Sequence, residues 1–320
     1  MDFDPHSHQV TTVLGPVSAG SLGALDAHNH MWIEPVPGAP PGGPVLNRFE
    51  PIRAELTAYR QAGGSSQTDC QPPLCGRNGL RLAELSRLSQ VHIVGCTGFH
   101  LQRYYPPDFW LWQASAEQAA GYFIAELEQG MVETRPSGTP VYPGFIKAAC
   151  QAELALTPQA ALEGAAQAAF QTGAALGIHT EKGAQAEHIL AFFTRQGLPA
   201  DRLILFHIDK RPDLGLQREL AQAGVLLEYD TFYRPKYDPD HRLWPLIEQM
   251  TAAGFEDSLA FGTDMAESEF WQSLSGGPGL PGLLNLIQPR LRSLGLDETC
   301  IQKITGGNLA RRLSRKTKGT

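Results

Sequence analysis

Residues 22–30 have the sequence LGALDAHNH, in which a short apolar run leads into two histidines with one residue between them. We predict a β-strand that ends here, and successive side chains of a strand point to opposite faces. His28 and His30 therefore project to the same side, where two imidazoles can share one metal ion. The alternative is a pair of surface histidines, and it is weakened by metal-ligand residue types that recur at the ends of later strands.

Strand-like and helix-like segments alternate along the rest of the chain. We predict the other seven strands at residues 65–69, 91–97, 144–148, 174–179, 203–207, 225–230 and 258–264. The alternation predicts a parallel sheet covered by helices, and eight such units predict a closed (β/α)8 TIM barrel of the α/β class. An open doubly wound sheet is the runner-up, but no Gly-x-Gly-x-x-Gly follows the first strand.

The composition suits one large domain. The chain has 320 residues, of which 42% are hydrophobic and 18% charged, enough apolar residues for a substantial core. We predict a single domain over residues 1–320, with a short N-terminal extension at 1–11, a last helix from 297 to about 314 and a basic tail at 315–320. The active site is expected at the C-terminal ends of the strands.

The charge and the cysteines bear on partners and on localisation. A formal net charge of −7 disfavours nucleic acid and anionic membranes as partners. No apolar run approaches the roughly 20 residues that span a bilayer, and the first residues do not resemble a signal peptide. Five cysteines at unrelated spacings indicate reduced thiols in a cytoplasmic protein, with a disulfide or a metal between Cys70 and Cys75 as an open alternative.

Six side chains that can bind or bridge metals end the predicted strands. They are His28, His30, Lys147, His179, His207 and Asp264. The last three intervals are 32, 28 and 57 residues, or about one, one and two strand–helix repeats. Since the carboxyl ends of barrel strands share one face, these side chains should converge there. Imidazoles with a carboxylate suit zinc, or else manganese, cobalt or iron, better than calcium, which prefers oxygen ligands.

The residues around these positions form recognisable motifs. They are Gly144-Phe145-Ile146-Lys147, Ile178-His179-Thr180, Leu205-Phe206-His207 and Gly262-Thr263-Asp264, with VGCTGF at 94–99 and GGNLAR at 306–311. In this order they resemble the phosphotriesterase family of the amidohydrolase superfamily, and its lactonase branch, over about residues 12–313. The complete set carries the resemblance. Asn29 departs from it, because many relatives have Glu between the histidines, and we expect its side chain to face away from the metals.

The resemblance implies a binuclear metal centre. One ion would bind to His28, His30 and Asp264, the other to His179 and His207, with a hydroxide and Lys147 as bridges. Lysine has no lone pair when charged, but its neutral amine can take up carbon dioxide and become N6-carboxylysine, which has two ligand oxygens. Two ions about 3.5–4 Å apart make hydroxide available near neutral pH and polarise the bond that it attacks. Asp264 would then move the proton to the leaving oxygen.

The loops after the strands set the substrate. Lys210 follows the sixth strand, and Arg234 and Tyr237 follow the seventh. We predict that these three gather on one side of the pocket and bind a phosphate or carboxylate of the substrate, as the resemblance to lactonases for phosphorylated sugars implies. His100 and Asp230 are further candidates for substrate contact. The competing interpretation is that these cations are ordinary solvated charges paired with nearby aspartates.

We therefore predict a metal-dependent hydrolase acting on ester bonds, a lactonase for a phosphorylated or otherwise anionic sugar lactone, with a small molecule as its partner. Hydrolysis of organophosphate triesters or of N-acyl amides is the enzymatic alternative. A metal-bearing binding protein without turnover is the third reading, and the intact ligand set argues against it. A homodimer follows from the resemblance alone. Residues 34–44 are predicted to be a pocket wall and residues 265–281 a mobile loop over the site.

Overall fold

The computed structural model describes residues 4, 5 and 7–316. Its strands are β1 (His8–Thr12), β2 (Gly15–Ser18), β3 (Leu25–Asp26), β4 (Ser66–Asp69), β5 (His92–Gly98), β6 (Phe145–Ala149), β7 (Leu176–His179), β8 (Leu203–Phe206), β9 (Leu226–Tyr229), β10 (Leu259–Phe261) and β11 (Arg315–Lys316). Strands β3 to β10 form one parallel sheet in sequence order. Because parallel neighbours need crossover connections, helices cover its outer face.

The sheet closes between β10 and the segment that follows β3. Ala27 N donates to Phe261 O at 2.9 Å, and Asp264 N donates to His28 O at 2.8 Å. The (β/α)8 barrel is thus confirmed. The predicted first strand is wrong in extent, because residues 19–22 form a 3-10 turn and Gly23 bends the chain with φ 55°. Only Leu25–Asp26 pair as a strand, and both histidines lie beyond its end.

The helices are α1 (Phe49–Gln61), α2 (Gly79–Ser89), α3 (Ala116–Gln129), α4 (Gln159–Thr172), α5 (Ala186–Arg195), α6 (Leu214–Gln222), α7 (Leu243–Ala252), α8 (Gln288–Ser293), α9 (Glu298–Gln302) and α10 (Asn308–Leu313). The predicted continuous last helix is wrong, because the backbone leaves helical geometry at Thr305 and Gly306. A Cβ at Gly306 would lie 2.3 Å from Gly23 O, so a glycine is needed where this turn packs against the start of β3. None of the described helices combines the length and apolar character of a bilayer span.

Two buried clusters hold the fold together. The larger lies between the sheet and the helices, and α5 is typical in presenting Ile189 and Phe193 to it. The smaller fills the barrel interior from its N-terminal end, where Leu309 of α10 packs, up to Phe206 at the end of β8. Apolar burial contributes roughly 25 cal/mol per Å². The opposite, C-terminal end of the barrel is left for polar side chains.

The chain ends meet in a small antiparallel sheet of order β11-β1-β2. Residues 8–11 of the predicted extension and 315–316 of the predicted tail therefore take part in pairing, while residues 317–320 lie outside the described residues. Val13 N donates to Ile93 O at 2.9 Å, which fixes this sheet under the barrel. All five cysteines are free, Cys70 and Cys75 among them.

Candidate metal centre

His28, His30 and Asp264 meet where β3 and β10 end. The Asp264 Oδ1 atom lies 3.8 Å from Nε2 of each histidine, and ligand atoms of the three residues lie within 4.8 Å of one another. The two rings are 5.5 Å apart between centroids. Side chains from the first and last barrel strands are thus brought to one point by closure of the barrel.

His207 and His179 extend this cluster along β8 and β7. The His207 ring lies 4.5 Å from His28 and 4.7 Å from His179, between centroids. His207 Nδ1 is 3.9 Å from Asp264 Oδ2. The four predicted imidazole ligands and the carboxylate therefore form one continuous group.

Hydrogen bonds behind two of the rings fix their tautomers. His30 Nδ1 donates to Gln71 Oε1 at 2.7 Å, and Gln71 in turn donates to Cys75 O. His207 Nδ1 donates to the buried Asp230 carboxylate. The proton of each neutral ring is then on Nδ1, and the lone pair of Nε2 is available to a ligand, as in many metal-binding histidines.

The cluster is a chemically suitable metal site. Both nitrogens of His28 and both of His179 are buried without a hydrogen-bond partner, which is costly unless a ligand binds them. Burial lowers the pKa of all four rings, that of His30 to about 3, so the imidazoles are neutral. Burial alone would raise the pKa of Asp264, but His207, Lys210 and Arg234 bring it below its ordinary value.

Lys147 lies on β6, fully buried. Its Nζ donates to Cys70 O at 2.8 Å. Its charge contributes to the lowered pKa of His28, His30 and His179. The predicted bridging lysine is thus part of the same buried group.

A network under the cluster holds the ligand segments together. Asp26 Oδ1 accepts from the backbone N of His28 and of Thr263, at 3.2 and 3.1 Å. Asn29 donates to Thr263 Oγ1 at 2.9 Å and accepts from the backbone N of His30 and Met265. The side chain of Asn29 therefore ties the first ligand pair to the loop of the last ligand.

Glu228 on β9 fills the remaining space behind the histidines. Its Oε2 accepts from His207 N at 3.0 Å and lies 4.0 Å from His28 Nδ1. A Cβ at Gly262 would lie 2.3 Å from Glu228 Oε1 and 2.6 Å from His28 N, so only glycine fits there. Burial and the nearby Asp230 raise the pKa of Glu228 well above its ordinary value.

Two of the six predicted ligands have left-handed backbone conformations. The φ angles are 63° for His207 and 46° for Asp264. Such conformations are disfavoured for residues other than glycine and concentrate at functional sites. The backbone bond from Asp264 N to His28 O keeps the second of these in place.

The cluster forms the floor of a cavity of about 460 Å³. His28, His30, His100, His179, His207 and Asp264 line it, together with Lys210, Glu267 and much of the loop from Glu34 to Val45. The prediction that residues 34–44 form a pocket wall is confirmed.

His100 Nδ1 accepts from Leu101 N at 2.7 Å, so the ring proton of neutral His100 is on Nε2.

The predicted anion-binding residues lie around Asp264. Lys210 Nζ and Arg234 Nη2 are 3.9 and 3.1 Å from Asp264 Oδ2, and each side chain is 11% exposed. This burial contradicts the solvated state in the competing interpretation, although both cations are paired with aspartates, as that interpretation also held. Arg234 and Tyr237 are not among the cavity-lining residues. Arg234 contacts Asp264 and Glu267, which do line the cavity. The ring of Tyr237 lies 5.6 Å from Lys210 Nζ.

Asp230 is buried behind His207 rather than in the cavity wall. It accepts from His207 Nδ1, and its Oδ1 lies 3.7 Å from Lys210 Nζ. Its position therefore suits orientation of a ligand histidine.

The loop at 265–281 is fastened to α1. Glu55 accepts from the backbone N of Ser273 and of Leu280, at 2.8 and 3.0 Å. Trp271 is fully buried and donates to Met265 O. The prediction of a mobile loop is therefore not supported by its packing.

The sequence did not single out the residues that hold other side chains or loops of the site in place. Gln71 and Glu55 carry no local pattern that would single them out. Asp26 had a usable signal, since an aspartate two residues before a chain turn often accepts backbone N–H bonds.

Comparison with known proteins agrees with this geometry. The model of the phosphotriesterase family matches residues 8–313. A phospho-furanose lactonase of Mycoplasmopsis synoviae is 27% identical, over 95% of this chain and 91% of its own length. An N-acetyltaurine hydrolase of Salmo salar is 25% identical, over 97% and 99%.

A solved lactonase structure from Listeria monocytogenes shares the fold with a TM-score of 0.87 at 22% identity, over 97% of this chain and all of the other. The family model covers nearly the whole chain, including every residue of the cluster described above. The chain therefore belongs to the phosphotriesterase family.

Proposed function

We propose that this chain is a binuclear metal-dependent lactonase that opens an anionic lactone of the phosphorylated-sugar type. Two largely buried cations beside Asp264 support the proposal, of which Lys210 lines the cavity and Arg234 contacts the lining residues Asp264 and Glu267. Arg234 Nε is buried without a hydrogen-bond partner. Relatives named phospho-furanose lactonases support the same substrate class.

His28, His30 and Asp264 would hold one divalent ion, and His179 and His207 the other, with Lys147 as N6-carboxylysine between them. Zinc suits these donors, and manganese, cobalt or iron would also fit. When bound, such ions supply Lewis acidity and a water of lowered pKa. The unpartnered nitrogens of His28 and His179 support this assignment.

Side chains of the protein then accept and return the proton of the attacking water. The Asp264 carboxylate, kept charged by its lowered pKa, accepts the proton of the attacking water. The oxygen of that water bonds to the carbonyl carbon, the ring C–O bond breaks, and Asp264 returns the proton to the ring oxygen. His100 offers its Nε2–H to the carbonyl oxygen, where negative charge develops. No side chain acts as a nucleophile, so no covalent intermediate forms.

Hydrolysis of an anionic N-acyl amide is the second candidate. It is favoured by relatives named N-acetyltaurine hydrolase that span nearly the whole chain. An anionic amide would use the same cations and the same metal ligands. A neutral phosphotriester would gain little from Lys210 and Arg234, so this activity ranks last.

A substrate panel tests the proposal. Zinc- or manganese-loaded protein is assayed with a lactone phosphate, a neutral lactone, a neutral phosphotriester and N-acyl amino acids. We expect the lactone phosphate to give the highest kcat/KM. Higher kcat/KM for the N-acyl amino acids would select the second candidate, and turnover of the triester alone would reject the anion-binding role. Light scattering on the same sample tests the homodimer that the family resemblance suggests.

A further inference from the structure

The loop after β3 is a strap with a fixed base. Ile33 and Leu46 close it with two backbone bonds of 2.8 and 2.9 Å, and Glu34 N donates to Gly76 O. We call residues 34–45 the strap. Loops of this length with adjacent ends are compact and often functional. The strap lies over the cavity beside His30, which follows the same strand.

The strap presents an apolar surface to the cavity. Its sequence is EPVPGAPPGGPV, in which five of twelve residues are prolines without a backbone N–H. Val36, Ala39 and Val45 line the cavity between them. Among the described residues, the one backbone hydrogen bond made within positions 35–45 is donated by Ala39 N to Val36 O. A ligand therefore meets apolar side chains, few backbone N–H donors and some backbone carbonyl oxygens on this side.

Polar side chains near the strap already have protein partners. Glu34 Oε1 accepts from Trp32 Nε1 at 3.1 Å and from Asn78 Nδ2 at 2.8 Å. Gln71 bonds to His30 and Cys75. Tyr104 accepts a 3.4 Å bond from Arg103, and His100 lies 5.0 Å from His179, at the reacting end of the cavity. Of the side-chain groups on this side, Glu34 Oε2 and the Tyr104 O–H remain to bond a hydroxyl.

The opposite side of the cavity carries charged groups of both signs, with Lys210 and Arg234 beside the carboxylates of Asp264 and Glu267. Lys210 follows β8 and Arg234 follows β9, and these strands stand across the barrel from β4 and β5. The strap rests towards the β5 loop, since a Cβ at Gly43 would touch the Tyr104 ring at 3.7 Å. Charge and apolar surface are thus separated across the site.

We infer that the substrate places its anionic group at the Lys210 side and a hydroxyl-free carbon face against the strap. Among anionic lactones, the site prefers rings that are deoxygenated or alkyl-substituted over fully hydroxylated ones. A hydroxyl buried without a partner costs about tenfold or more in binding, whereas carbon in the same place gains. The inference rests on the proposed function for the bond that is cleaved, and on the strap for the rest of the substrate.

Paired substrates test it on the loaded enzyme. We compare a phosphorylated γ-lactone that has two ring hydroxyls with its dideoxy counterpart, and expect kcat/KM about tenfold higher for the dideoxy ring. Val36→Thr keeps the side-chain shape and adds a hydroxyl, so it should reduce this ratio. Val132→Thr, a half-exposed position outside the cavity lining, should leave it unchanged. Preference for the hydroxylated ring, or an unchanged ratio in Val36→Thr, would overturn the inference.

A binding measurement separates this inference from the proposed function. Calorimetry on the zinc-loaded protein uses the matching cyclic ethers, dihydroxy and dideoxy tetrahydrofuran phosphates, which cannot be opened. If neither lactone is turned over but the dideoxy ether binds about tenfold tighter and loses this advantage in Val36→Thr, the lactonase proposal fails and the inference holds. If the lactones are opened but the dihydroxy ether binds as tightly, or neither ether binds, the inference fails.

Discussion

The two ends of the barrel bury polar groups in opposite ways. At the N-terminal end, Arg312 donates to the carbonyl oxygens of Ala200, Leu203 and Gly224, at 3.2, 2.7 and 2.8 Å. Arg315 donates to Gly144 O at 3.0 Å. These guanidinium groups cover carbonyls near the starts of the strands. The hydrogen bonding of this end is supplied by the chain itself.

At the C-terminal end, the imidazoles of His28 and His179 and the Nε of Arg234 are buried without partners. His207 and Asp264 have disfavoured backbone conformations there. An unsatisfied buried polar group lowers stability unless a ligand completes it. Burial of polar groups therefore supports stability at the N-terminal end of the barrel and ligand binding at the C-terminal end.

The largest expected effect is at the reactive end. Asp264→Asn removes the proton acceptor and should lower kcat by about 10²–10⁴-fold. Metal content and the melting temperature of the metal-free protein are measured with it, and Asp108→Asn at an exposed position is the control. Full turnover by Asp264→Asn with bound metal would contradict the mechanism.

The next largest expected effect is on stability, at the N-terminal end of the barrel. Arg312→Met removes the bonds to three carbonyls and should lower the free energy of unfolding by about 2–4 kcal/mol, with kcat unchanged in the folded protein. Urea denaturation of the metal-free protein measures it. Arg311→Met is the matched control, since Arg311 makes 3.3 Å bonds at the surface and should change stability little. Equal losses in both variants would show that the carbonyl contacts are not what stabilises this end.

A pH series sharpens the comparison through Asp69. Burial raises the pKa of Asp69 to about 7, its Oδ1 accepts from Met31 N at 2.6 Å, and its Oδ2 has no partner. A raised folded-state pKa means that its contribution to stability is complete below pH 4 and is lost as the pH rises through 7.

Asp69→Asn keeps the acceptor for Met31 but cannot ionise. The free energy of unfolding of the metal-free variant should exceed that of wild type by a margin that grows by roughly 4 kcal/mol between pH 4 and 7 and then stays constant. A constant difference over that range would mean that Asp69 does not titrate there.

The anion site should show a smaller effect, confined to charged substrates. Arg234→Ala should raise KM about tenfold for a phosphorylated lactone and much less for its dephosphorylated analogue. Arg103→Ala, which removes a more exposed cation near the same cavity, is the control. Equal increases for both substrates would remove the phosphate role.

The smallest expected effect tests whether His100 acts as a hydrogen-bond donor to the substrate or only packs against its neighbours. His100→Phe should lower kcat about fivefold because it removes one hydrogen bond from Nε2–H, whereas His100→Gln should retain much of the activity through its amide. Bound metal is quantified in both variants, because His100 packs against His179. Equal losses in Phe and Gln would indicate a packing role alone.

The sequence was most informative where local pattern and chemistry coincide. Seven barrel strands and the order of the ligand residues follow from apolar runs that end in His, Lys or Asp, since the carboxyl ends of parallel strands share a face. The first strand failed because Gly23 breaks an apolar run that reads as one element. The break in the last helix failed for a similar reason, since it depends on the contact of Gly306 with Gly23.

The barrel, the family resemblance and the set of side chains that can bind metal could all be predicted from the sequence. Only the tertiary structure decided that Asp26 bonds to Thr263, 237 residues away, that Gln71 fixes the tautomer of His30, and that Lys210 and Arg234 are buried rather than solvated. The physical reason is that hydrogen bonding and burial depend on neighbours that closure of the barrel brings together. Periodicity along the chain reports which face a residue takes, but not which distant residue it meets there.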